Sequence, residues 1–299
     1  MSRFQALISL TGASIIVGST LVVSRIISGG ESIYCIQLFS MFIASIILFF
    51  LIGKDNIKKE LKNTTRKDFI IFFLQTLSGV VLFRIFIVYG VGLTKAMDAG
   101  VILSLTPVTT VILSVIFLKD KLGKREIIAL LCAFVGVLII NLNGIQESTE
   151  GNMRLLGNAM ILMAVLGESS FVIFSKKASV KISPLTRSLM ICICGIFLFF
   201  PLSIYELTQG YSFLMNLNFW ILTLYTGVVL TVMAYVLWFR GISHVSGTTA
   251  GVFNSLIPVS AIALVFIFLG EAMTKMQLAG LIFILAGVGL IIFEGNLDI

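Results

Sequence analysis

Residues 99–108 read AGVILSLTPV, and 151 residues later residues 250–259 read AGVFNSLIPV. Held at that offset, Gly90 to Ile140 aligns with Gly241 to Ile291 without a gap, and 17 of the 51 pairs are identical. Chance similarity between apolar helices raises such a count, but it does not put prolines and glycines in register. Here Ser104 matches Ser255, Pro107-Val108 matches Pro258-Val259, Phe117-Leu118 matches Phe268-Leu269, and Gly136-Val137 matches Gly287-Val288. The expectation is a duplicated chain with units 1–150 and 151–299.

The flanking sequence sets the class. Of 299 residues, 58% are AVILMFWYC and only 12% are charged, about half the charge of an ordinary soluble domain. With the 26 glycines, roughly two thirds of the chain is apolar, enough for about ten segments of about 20 residues, each able to cross a ~30 Å hydrocarbon layer. The mean hydropathy of +1.11 agrees. Apolar runs fall near 4–26, 33–52, 69–92, 98–118, 127–142, 155–174, 188–205, 218–238, 250–268 and 277–293. The expected fold is an all-α integral membrane protein of ten transmembrane helices. The first run is too long for the core of a secretory signal and no small-residue cleavage pattern follows it, so it is expected to remain as a helix.

The net charge of +7 is distributed by topology. With the N-terminus cytoplasmic, sixteen cations fall in inside loops, chiefly residues 53–67, 119–125 and 176–187, and three fall outside, at Lys95, Arg154 and Lys275. Both termini are therefore expected to be cytoplasmic in a cell (plasma or inner) membrane. Five helices per unit is an odd number, so the second unit enters the membrane from the opposite side. The loops agree: residues 119–126 carry four cations and their counterparts 270–277 carry one. Inverted five-helix repeats point to a secondary transporter, because two halves related by an in-plane pseudo-two-fold can open a shared site to each side in turn.

The repeated unit resembles the EamA-type branch of the drug/metabolite transporter superfamily. The resemblance lies in the Ser-x-x-Pro-Val core of the fourth helix, an acid thirteen residues after the proline, and a Gly-Val pair in the fifth helix. The second half has Ser255, Pro258-Val259, Gly270-Glu271, Gly280 and Gly287-Val288; the first half departs with Lys119-Asp120, Ala129 and Val17-Gly18. This resemblance implies a carrier of small organic solutes, often an exporter, with a cavity lined by helices 1, 3, 4, 6, 8 and 9.

Two ionisable residues lie inside apolar runs. At ~1.5 Å per residue, Arg84 sits about 6 Å to the outer side of the midplane and Glu168 about 4 Å to the inner side. Each costs several kcal/mol in hydrocarbon and must face protein or water. Either they pair and lock helix 3 to helix 6, or they serve function: Arg84 holding a substrate carboxylate or other anion, and Glu168 holding an amine or acting as the proton-coupling acid. On a 3.6-residue helix Arg84 shares its stripe with Leu77, Val80, Val81 and Val88, while Gln75 lies half a turn away. Tyr235 occupies the equivalent position on helix 8, with Trp238 three residues on. The pair could wall an apolar or aromatic substrate or serve as an interfacial anchor.

Pro107 and Pro258 are expected to kink helices 4 and 9 and to free the carbonyls of Leu103 and Asn254. Ser104 and Ser255 could satisfy those groups or meet solute, and the Asn254 side chain has no counterpart in the first half. The substrate-binding candidates are therefore Arg84, Glu168, Tyr235, Trp238, Asn254, Ser104 and Ser255. The four cysteines lie in apolar runs as reduced packing residues. His244 is a lone loop histidine, so neither metal nor cofactor is expected. No Walker A glycine loop is present, which argues against ATP as a partner, and no basic soluble face suits nucleic acid. The expected partners are membrane lipid and a small molecule such as an amino acid or related amphiphile, with a monomer sufficient. An intramembrane enzyme on a lipid-linked substrate and a non-transporting receptor or assembly protein are the competing classes.

Overall fold

The computed structural model describes residues 3–30, 32–62, 64–118, 151–177, 182–210, 212–242 and 256–294, with scattered positions between 127 and 139. The described residues are helical throughout, without strands. The chain begins with α1 (Arg3–Gly18), α2 (Thr20–Ile27), α3 (Ile33–Ile52), α4 (Lys54–Leu61) and α5 (Arg66–Thr76). A wide-turned π segment, π1 (Leu77–Leu82), leads into α6 (Phe83–Leu93), followed by α7 (Ala96–Leu103) and α8 (Thr106–Leu118). The later part has α9 (Gly151–Lys177), α10 (Pro184–Gln209), a 3-10 turn (Ser212–Met215), α11 (Leu217–Leu224), π2 (Tyr225–Met233), α12 (Ala234–Ile242), α13 (Leu256–Leu269) and α14 (Lys275–Glu294).

Among the described residues, six helical stretches are long and apolar enough to cross a membrane, from Gln5–Ile27 to Leu217–Gly241. The apolar helices α7 and α8 meet at a bend of 45°, as in a broken span or a re-entrant loop, and Leu256–Leu269 and Lys275–Gly287 are shorter apolar helices. Most of the expected fifth helix, 127–142, lies outside the described residues.

Local chemistry explains where the observed helices differ from the expected runs. Helix α5 starts at Arg66, three residues before the hydropathy rises, because Thr65 and Asp68 form a reciprocal capping box. Likewise α10 starts at Pro184: the Ser183 hydroxyl accepts from Thr186 N–H at 3.3 Å, and proline suits the first helical position. At Gly53, a φ of +78° turns the chain out of α3 into α4, a short polar helix that hydropathy alone did not suggest.

The spans are held together at close crossings. Helix α9 packs along α5, π1 and α6 on one side and α8 on another, while α1 packs between α12 and α13 and α10 lies along α3. Where α6 meets α9, glycines remove the obstacle: a Cβ on Gly157 would stand 2.8 Å from the Gly90 carbonyl oxygen, and one on Gly167 would stand 2.6 Å from the Ser78 carbonyl oxygen. Close backbone approach of this kind is how helices associate when lipid removes the hydrophobic drive between them.

Gly157→Val should therefore force α6 and α9 apart and lower stability by about 1–3 kcal/mol. Thermal unfolding of the purified protein in detergent measures this. Gly289→Ala, at a position where an added Cβ meets none of the described residues within 4 Å, should not lower the transition.

Candidate functional site

Within this bundle a cavity of about 100 Å³ lies between α1, π1–α6, α9, π2–α12 and the start of the described part of α13. Four residues singled out by sequence meet there: Arg84, Glu168, Tyr235 and Trp238. The rest of its wall is mainly apolar, with Phe83, Phe171 and Leu230 prominent.

Two wide turns aim these side chains. The lining residues of π1–α6 are Gly79, Phe83 and Arg84, and those of π2–α12 include Leu230, Ala234 and Tyr235. These sets are the same positions at the offset of 151 residues, and in each the first and last are five residues apart. That is the repeat of a π turn, not of an α-helix. The 3.6-residue phase that aligns Arg84 with Leu77 does not survive π1, so Gly79 faces the cavity instead. A Cβ on Gly79 would collide with the Phe171 side chain, so only glycine lets that ring reach the wall.

Arg84 is 8% exposed, and its Nη2 donates to Thr231 Oγ1 at 3.4 Å, while the guanidinium also lies beside the Tyr235 hydroxyl. Thr231 in turn donates to the carbonyl of Thr226, five residues back in π2, at 2.8 Å. The arginine thus meets a preset acceptor on π2. Sequence reasoning missed Thr231, and its signal was a hydroxyl one turn before Tyr235 in an otherwise apolar run.

Glu168 faces the same cavity from α9 but does not come within ion-pair distance of Arg84, so of the two alternatives for these residues the direct pair is not formed. Its Oε2 accepts instead from Thr106 Oγ1 at 3.1 Å. The same Thr106 hydroxyl lies 2.8 Å from the carbonyl of Leu103, the group that Pro107 was expected to free. Ser104, next to it, is buried, donates to the Val101 carbonyl and does not line the cavity. Helix α7 reaches this region through Leu103, which lines a small adjoining space with Glu168 and Val17. Pro258 is buried in α13, whereas Asn254, Ser255 and His244 lie outside the described residues. Gln75, away from the cavity, donates to the carbonyl of the wall residue Phe171 at 3.3 Å.

A second polar group, unmarked by the sequence, closes one end of the bundle. Asp98 in the first turn of α7 is fully buried and accepts from Arg154 Nε at 2.7 Å and from the Gln277 amide. The Thr94 hydroxyl lies within bonding reach of both Asp98 and Asn158. Glu271 accepts from Met97 N–H at 2.9 Å, and Arg25 donates to the carbonyls of Val91 and Thr94 at the end of α6. Helices α2, α6, α7, α9 and α14 are tied together at this end, chiefly by charge-assisted bonds.

An all-helical bundle with membrane-length apolar spans and an internal cavity lined by a buried arginine and a half-buried acid has the make-up of a membrane transporter. The chain belongs to the EamA-like transporter family, whose model matches residues 5–142 and again 155–293. It is 32% identical over 287 residues to the uncharacterized transporter YetK of Bacillus subtilis (strain 168), covering 96% of this chain and 86% of that one. It is 22% identical over 290 residues to the uncharacterized transporter YyaM of the same organism, covering 96% and 93%. Protein PecM of Dickeya dadantii (strain 3937) is 26% identical over 188 residues, covering 62% of this chain and 61% of that one. One solved crystal structure shares the fold over 100% of both chains, with a TM-score of 0.63 at 14% identity. The family's description and the names of YetK and YyaM are those of transporters, not enzymes.

Removing one partner of the buried pair leaves the other charge uncompensated. Asp98→Ala should therefore cost about 3–5 kcal/mol, read as a lowered unfolding temperature in detergent. The double variant Asp98→Ala with Arg154→Leu should recover part of that loss.

Proposed function

We propose that this protein is a secondary carrier that exports a small zwitterionic or anionic amphiphile, such as an amino acid, by alternating access. The observation that carries this reading is the pair Arg84 and Glu168, which face one cavity without neutralising each other. A buried charge is retained at such expense where it meets a solute or an ion. Arg84, fixed by Thr231 and Tyr235, is placed to take a carboxylate. Glu168 is placed to take an amine or to exchange a proton. Phe171, Tyr235 and Trp238 offer a wall for an apolar or aromatic portion.

Glu168 also connects to the bend in the fourth span. As a carboxylate it accepts the Thr106 proton; once protonated it can donate its own, leaving the Thr106 hydroxyl to the Leu103 carbonyl. Proton exchange at Glu168 would thereby favour one or the other arrangement at Pro107, giving proton antiport a structural route. Opening at the opposite end would require Asp98 to part from Arg154 and Gln277. Ten helices in two inverted repeats, with both termini cytoplasmic, complete the reading. It is supported by the family model matching twice, by the matched lining positions on the third and eighth spans, and by the distribution of lysine and arginine.

Reconstituted liposomes loaded with candidate solutes test this directly. Arg84→Ala should abolish counterflow of the transported solute while the protein stays monodisperse and folded; retained counterflow would remove Arg84 from the site. In the same liposomes Glu168→Gln should keep counterflow but lose net flux driven by a pH gradient. Unchanged gradient-driven flux would remove Glu168 from coupling.

A further inference from the structure

The second space of note lies outside the bundle. A wholly apolar groove of about 370 Å³ runs between α3 and α10, floored by Phe42, Ile46 and Phe49 on one side and by Met190, Ile193 and Ile196 on the other. Along α3 it extends from Phe42 to Phe50, about 12 Å at 1.5 Å per residue. That approaches the ~15 Å depth of one leaflet's hydrocarbon. Its far end is closed by Ile57 and Leu61 of α4, the helix that Gly53 turns out of the span.

The helix α4 is built for a membrane surface. Ile57 and Leu61 face the groove, and one residue behind them Asn56 and Glu60 are tied down: Asn56 donates to the Ile52 carbonyl at 3.0 Å and Glu60 accepts from Ser183 N–H at 2.9 Å. Burial alone would push the Glu60 carboxyl up, but the Ser183 N–H and the nearby Ser183 and Thr186 hydroxyls outweigh it and hold the group below its ordinary range. Glu60 is thus an ionised anchor with its charge already committed. One residue ahead of the apolar pair, Lys54, Lys58 and Lys62 follow each other at every fourth position and are all exposed. They form a cationic row on the side turned away from the Glu60 anchor, and none of the three is ion-paired among the described residues. Asp55 lies three residues before Lys58 and four before Lys59 and is within ion-pair distance of neither, so the lysines of α4 outnumber the one acid beside them.

We infer that this groove and lysine row bind an anionic phospholipid, with one acyl chain lying between α3 and α10 and the phosphate-bearing headgroup on Lys54, Lys58 and Lys62. An apolar slot of leaflet depth suits an acyl chain. The cations at its polar end select the headgroup, as basic surface helices do for anionic lipids. The proposal needs only that the protein is embedded in a bilayer and does not rest on the carrier mechanism.

Native mass spectrometry of the purified full chain provides the test, with phosphatidylglycerol and phosphatidylcholine of identical acyl chains added in equal amounts. The wild type should retain phosphatidylglycerol over phosphatidylcholine by at least about fivefold. Lys54→Gln/Lys58→Gln/Lys62→Gln should bring phosphatidylglycerol down to the phosphatidylcholine level and leave phosphatidylcholine unchanged. Ile193→Trp, or the milder Ser45→Leu if the first does not fold, should reduce both lipids by filling the groove. Equal retention of the two lipids by the wild type, or an undiminished preference in the triple lysine variant, would overturn the proposal. Full retention of both lipids in a folded groove-filling variant would overturn the acyl-chain placement.

Discussion

A guanidinium inside an apolar bundle constrains everything packed around it. Arg84 lies well inside a span, nine residues from its nearer end, and among the described residues no carboxylate stands within ion-pair distance. The protein answers with dipoles and space: the Thr231 hydroxyl, the Tyr235 hydroxyl, and a cavity on the open side. The glycines at the α6–α9 crossing bring Glu168 and Phe171 up to the opposite wall, and the wide turn at Leu77–Leu82 rotates the arginine into place. The structure thus holds a charge inside an apolar bundle without an opposite charge beside it, which suits a site completed by its solute.

Much of this was legible in the sequence for a simple energetic reason. An ionisable side chain in hydrocarbon is so costly that Arg84 and Glu168 had to face an interior space, and the 151-residue offset led from Arg84 to Tyr235. The phase around Arg84 was not legible, because a 3.6-residue template carries no mark of a π turn. Only Gly79, five residues before Arg84 and opposite the Phe171 ring, hints at it. Nor was the Asp98 cluster legible: Asp98, Arg154 and Gln277 each sit at the first turn of a helix, where hydropathy treats polar residues as ordinary ends. Their pairing depends on three spans converging, which is a property of the fold. The start of α5 and of α10 was misjudged for a related reason. Capping by Thr65 and by Ser183 extends each helix into polar sequence.

The two ends of the bundle use charge differently. At the end holding Asp98, ionic groups are buried and satisfied by one another, so separating the spans there exposes unpaired charge. At the end holding α4, the acid Glu60 is spent on anchoring the helix and the lysines remain facing outward. The first arrangement opposes separation of the helices it joins, and the second leaves cations exposed at the surface.

The central claim is that the two halves of the chain are threaded through the membrane in opposite senses around the shared cavity. Single cysteines at matched positions, Lys121→Cys and Ala272→Cys in a background with the four native cysteines replaced, can be probed in sealed membranes with an impermeant maleimide. The account predicts that the two positions react from opposite faces. Reaction of both from the same face would contradict the inverted duplication, and the shared-cavity mechanism with it.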